Sequence, residues 1–143
     1  LFFLYHNSMV IFNLLPIYPL DGSKIFNLLL SKYIGFNLAN YITIVISFIT
    51  IIVFVISNSY ENNYSILIII GILLKNIYRF YYNIEYIYNR FILERYLYNF
   101  NYKNNKIINN KNKMYKNKHH MFNINNNLIE EKESIKSFFE KKP

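Results

Sequence analysis

Residues 38–57 contain no Asp, Glu, Lys or Arg and are dense in Ile, Val and Phe. A run of about 20 such residues matches the hydrocarbon thickness of a bilayer. Lipid offers no hydrogen bonds to a peptide group, so a segment crossing it must pair its own backbone, and a helix does so. The run therefore predicts a transmembrane helix. Residues 64–82 predict a second, less complete one: the charge-free core ends at Leu74, and Lys75 and Arg79 must snorkel to the interface. Residues 1–15 read as the end of another membrane helix, with His6, Asn7 and Ser8 set into it. The expected fold class is all-α: a polytopic membrane protein, a helical bundle with a broken segment and a short basic cytoplasmic tail.

Composition supports the division. The chain is 53% hydrophobic, with the apolar residues gathered in the first half, and its formal charge of +8 lies mostly beyond Leu74. A basic excess beside a membrane segment marks the cytoplasmic side. Lys24 and Lys32 before the span at 38–57, and Lys75 and Arg79 after the next, predict a hairpin with both ends cytoplasmic and its turn near Tyr60 outside. There is no cysteine, hence no disulfide framework or thiolate metal site.

From the end of the segment over residues 1–15 towards the first complete span runs Asn13-Leu14-Leu15-Pro16-Ile17-Tyr18-Pro19-Leu20-Asp21-Gly22, which holds the only aspartate of the chain. Pro16 and Pro19 forbid an uninterrupted helix, and broken backbone at membrane depth is tolerated only against protein or a cavity. A carboxylate there needs a partner, a polar cavity or a metal. The alternative is structural: Asp21 or Ser23 caps a short helix over residues 23–30.

The pattern Asn-x-x-Pro-x-x-Pro-Leu-Asp-Gly after an apolar run resembles the second signature motif of the site-2 proteases, membrane-embedded zinc metalloproteases. The wording from Phe12 to Lys24 is similar to the sporulation branch, the stage IV sporulation protein FB type. Arg90-Phe91-Ile92-Leu93-Glu94-Arg95 also resembles the segment after the last helix of that branch. The resemblance implies that Asp21 is a zinc ligand and places Asn13 near the substrate carbonyl. It implies a membrane-tethered protein substrate cut within or near the bilayer, a pro-sigma factor in the sporulation case.

In that family two further zinc ligands and the general base come from an HExxH helix, and no HExxH occurs here. The histidines are His6, His119 and His120. The chain starts at Leu1 rather than Met and is read as the C-terminal part of a longer enzyme. Ser23 stands where many members have a second Gly. The alternative function is an inactive membrane scaffold or substrate-binding adaptor of the same fold.

The expected organisation is a membrane domain over residues 1–82, an amphipathic interfacial helix over 83–99 and a cytoplasmic Asn/Lys-rich tail over 100–143. Residues 102–118 read as a solvated linker and 127–139 as a small helix. His119-His120 is a poor metal pair, because adjacent side chains on regular structure diverge. The tail resembles a shortened form of the region that carries a nucleotide-binding CBS module in longer relatives. That implies a nucleotide as a partner of the tail, while no nucleic-acid partner is expected.

Overall fold

The computed structural model describes residues 2–57, 64–98, 100, 102, 104–124 and 127–140. The turn expected near Tyr60 lies outside them. The elements are helices α1 (Phe2–Asn13), α2 (Asp21–Tyr33), α3 (Phe36–Ser57) and α4 (Tyr64–Leu97), then strands β1 (Asn105–Ile108), β2 (His119–Ile124) and β3 (Asn127–Glu130), and helix α5 (Glu131–Glu140). A short 3-10 turn at Lys111–Lys113 stands between β1 and β2. They form two compact units: residues up to Leu29 with Ala39–Asn83, and Leu30–Leu38 with the residues from Ile84 onward.

In the first unit, α3 turns Ala39, Asn40, Thr43, Ile44, Ser47 and Ile51 inward at helical spacing. Its outer face carries exposed Val45, Ile49, Ile52, Val53 and Ile56. Polar groups are inside and branched aliphatics outside, the reverse of a helix dissolved in water. The interior hydroxyls are satisfied locally: Thr43 donates to the Ala39 carbonyl and Ser47 to the Thr43 carbonyl, each at 2.8 Å. Asn27 of α2 adds amide hydrogen bonds to Asn40 Oδ1 (2.8 Å) and Thr43 Oγ1 (3.0 Å). On α4, Leu73, Ile77 and Phe80 are buried while Leu67, Ile68 and Ile72 are exposed. Two helices, α3 and α4, are long and apolar enough to cross a membrane. α1, with 12 residues, rises only about 18 Å, short of the ~30 Å hydrocarbon layer.

In the second unit, β1 pairs parallel to β2, with Asn105 opposite His119 and Ile108 opposite Phe122. β2 pairs antiparallel to β3, from Met121 opposite Glu130 to Ile124 opposite Asn127. The sheet order is β1-β2-β3. Its core joins Tyr88, Phe91 and Ile92 of α4 to Ile108, Met114, Phe122 and Ile135. Phe36 stacks on Phe91 at 4.3 Å, and its N–H donates to the Met114 carbonyl at 2.8 Å. The chain turns between α2 and α3 at Gly35, whose φ of +89° is a backbone state that side chains disfavour.

Three expectations are corrected. The fold is mostly helical but not all-α, since the tail contains a three-stranded sheet. Residues 102–118 are no featureless linker: they supply β1 and Met114, which is fully buried. Residues 127–139 divide into a strand and a helix, because Leu128 and Ile129 pair with β2 before Glu131 starts α5. The second span and the helix expected over 83–99 are parts of one element, as α4 runs unbroken to Leu97. Nothing between Phe80 and Leu97 interrupts it: the stretch contains no Pro or Gly.

Candidate functional site

The proline-broken segment forms a corner between α1 and α2. The Leu14 N–H bonds the Val10 and Ile11 carbonyls at 3.1 Å, closing α1, and Pro16 then has no N–H to continue it. Ile17, fully buried, anchors the loop, and the Leu20 N–H closes it on the Ile17 carbonyl at 2.7 Å. Two contacts pin it from other helices. The Tyr18 N–H donates to Ser47 Oγ of α3 at 3.0 Å, and the Tyr18 ring stacks on Phe80 of α4 at 4.2 Å. The Tyr18–Pro19 peptide is cis.

Asp21 is the first residue of α2. It therefore lies at the positive end of the helix dipole, while its carboxylate turns to Lys24 Nζ at 2.7 Å. That hydrogen bond and the carboxylate charge raise the Lys24 pKa above its ordinary value. Of the two capping candidates Ser23 does not cap: its hydroxyl donates to the Leu20 carbonyl (2.8 Å) rather than accepting a helix N–H. The Asp21 side chain is 68% exposed, and an exposed pair of this kind contributes little to stability. The dipole and this pair are therefore the structural reasons for an acid here, and each is worth little at an exposed position. Asn13 is the last residue of α1 and half-buried, while His6 is exposed on α1.

Gly22 explains itself. A Cβ at this position would lie 2.0 Å from the Leu14 carbonyl oxygen and 2.5 Å from that of Leu15, both backbone atoms that cannot swing away. The start of α2 is thus pressed against the end of α1. Gly22→Ala should shift the corner, and with it Asp21, and lower the stability of the first unit by about 1–3 kcal/mol, the usual range for overpacking. Unfolding of the full chain in detergent checks this, and an unchanged midpoint would show that the contact yields.

A second polar cluster lies in the other unit, around Arg95, His120 and Glu131, which are 5%, 0% and 4% exposed. The Arg95 guanidinium makes a two-pronged contact with the Glu131 carboxylate, Nε to Oε1 and Nη2 to Oε2. It also donates to the Tyr115 carbonyl (3.1 Å) and the Lys118 carbonyl (2.6 Å). His120 Nε2 accepts the Tyr115 N–H at 2.9 Å. The proton must then sit on Nδ1, which faces Glu131 Oε2 at 3.2 Å. Burial, against the pull of the Glu131 hydrogen bond and with the help of the Arg95 charge, lowers the His120 pKa. Burial would raise the Glu131 pKa, but hydrogen bonds from His120 and Arg95 and the guanidinium charge outweigh it and hold it at about 2.

With both ring nitrogens engaged, His120 has no lone pair for a metal. His119, its neighbour on β2, points the other way, into an open cavity of about 610 Å³ lined also by Tyr98, Phe100, Tyr102 and Lys132. Among the described residues no three His, Asp or Glu side chains converge to hold a metal. These residues do not fit a complete zinc site: at the corner they offer one carboxylate, already ion-paired.

Arg95 was legible only as part of a resemblance, and its partner Glu131, 36 residues on, carries no local signal. No family model matches the chain, and no curated protein matches its sequence.

Proposed function

We propose that the chain contributes the aspartate corner of an intramembrane zinc endopeptidase of the site-2 protease type, acting on a membrane-tethered protein. The observation that carries this reading is Asp21 itself: an exposed acid of small structural value, held at a helix start by a corner tied to two other helices. The motif residues from Asn13 to Gly22 supply the rest of the argument, with Asn13 assigned to the substrate carbonyl. Asp21 would be the one carboxylate that this chain offers to zinc, and the metal would supply Lewis-acid chemistry at the substrate carbonyl.

In this reading α3 and α4 cross the bilayer, because lipid is the solvent that accepts an aliphatic outside around a polar inside. The clustering of Lys and Arg supports a cytoplasmic side for the corner and the tail. In the tail, the rings of Tyr98, Phe100 and Tyr102 beside the 610 Å³ cavity suit a stacked nucleotide.

The competing reading is an inactive scaffold or adaptor, favoured by the single available ligand and its pairing with Lys24. The test is the in-frame DNA preceding Leu1, followed by zinc analysis of the full-length product. An apolar helix bearing HExxH, with one zinc per chain, supports the protease. A start codon near Leu1 with no such helix, or full-length protein free of zinc after purification with zinc present, leaves the scaffold.

A further inference from the structure

The exposed side chains of the first unit change character sharply along its helices. On α4 they are aliphatic at Leu67, Ile68 and Ile72, and then become tyrosine at Tyr78, Tyr81 and Tyr82, which are 63%, 55% and 66% exposed. The first charges of the helix, Lys75 and Arg79, come where the aliphatics give out. α3 shows the same change in reverse. Its exposed Tyr41 precedes an outer face of Val45, Ile49, Ile52 and Ile56.

The two transitions lie at one level, because Tyr41 meets Tyr81 edge to face with ring centroids 6.4 Å apart. Tyr81 lies 5.9 Å from Tyr82, and the Tyr82 hydroxyl is 3.0 Å from that of Tyr78. Four exposed rings therefore make a continuous band. A tyrosine has an apolar body and a polar tip, so such a band is most stable where hydrocarbon meets headgroups.

We propose that Tyr41, Tyr78, Tyr81 and Tyr82 sit in the headgroup region of a lipid bilayer and fix the depth of the first unit in it. This rests on the membrane reading given above. The rise of the helices adds a depth scale. Ile52 is 11 residues from Tyr41, and Ile72 is 9 from Tyr81. At 1.5 Å per residue they lie about 16 and 14 Å from the band, close to the middle of a ~30 Å hydrocarbon layer. The corner is placed as well: Tyr18, three residues before Asp21, stacks on Phe80, the immediate neighbour of Tyr81. Asp21 is thus near the membrane edge, where water is at hand, rather than at mid-depth.

The chain contains no tryptophan, so single replacements report without background. Tyr41→Trp, Tyr82→Trp, Ile52→Trp and Ile72→Trp would each be made in the full chain and reconstituted into phosphatidylcholine vesicles. Each is then quenched with lipids brominated either near the headgroup or near the chain end. The band predicts that positions 41 and 82 are quenched more by the shallow label and 52 and 72 more by the deep one, with bluer emission at 52 and 72. Deep quenching at 82 equal to that at 72, or no quenching at 41 and 82 while 52 and 72 respond, overturns the band and leaves the spans standing. Absence of quenching at all four positions overturns the membrane reading itself.

Discussion

On the proposed protease reading, Asp21→Asn should abolish cleavage of a membrane-tethered substrate while leaving insertion and abundance unchanged. The side chain keeps its shape and loses only its charge. Asn is well tolerated at a helix start, and the ion pair it forfeits with Lys24 is exposed on both sides. Little stability is therefore at stake. A neutral amide is a poor replacement for a carboxylate ligand, so metal retention should fall together with cleavage. The measurement is cleavage of a membrane-tethered reporter alongside zinc content at matched protein levels. Cleavage at the unsubstituted rate would remove Asp21 from the chemistry. Cleavage lost along with the protein itself would assign Asp21 to folding, against the exposure seen here.

Glu131→Gln should destabilise the second unit by about 3–5 kcal/mol, the range for removing one partner of a buried ion pair. The loss is large because Arg95 is left charged, 5% exposed and without a counter-ion. The Tyr115 and Lys118 carbonyls remain, but they carry only partial charge. Hydrogen exchange at the amides of β2, in the whole chain, reads the effect directly. Protection as strong as in the unsubstituted chain would mean that the pair contributes no net stability.

Acid should reproduce part of this loss in two steps. The folded His120 pKa lies below its ordinary value of 6.5, so as pH falls below about 6.5 the unfolded chain binds a proton that the folded chain refuses. Stability then declines with acidification. Glu131, held at about 2 against an ordinary 4.5, adds its share between those two values. A difference of this size corresponds to roughly 3 kcal/mol at full effect. Protection of β2 should therefore be complete at neutral pH and above, begin to weaken near pH 6 and fall further below pH 4.5. With Glu131→Gln the lower step should vanish.

Features that depend on neighbours along the chain were legible in the sequence. The apolar runs became α3 and the first half of α4, because hydropathy over about 20 residues is a local property. Pro16 and Pro19 broke the chain where expected, since proline acts on its own turn. Asp21 stood at a helix start, as the residues after it required. The tail shows the opposite case. Its Asn- and Lys-rich composition hides β1, whose four residues are defined only by pairing with His119–Phe122. β3 looked helical because Leu128 and Ile129 precede an acidic, helix-starting run, and only their registry with Met121–Ile124 makes them a strand. Arg95, His120 and Glu131 meet across 36 residues, and nothing local marks any of them as the partner of the others. Even Gly22 needed the fold. Its place in a turn was readable, but the approach of the Leu14 carbonyl that excludes any side chain comes from the packing of α2 on the end of α1. Local periodicity is written in the residues themselves, whereas strand registry, buried charge pairs and backbone contacts exist only once distant segments have been brought together.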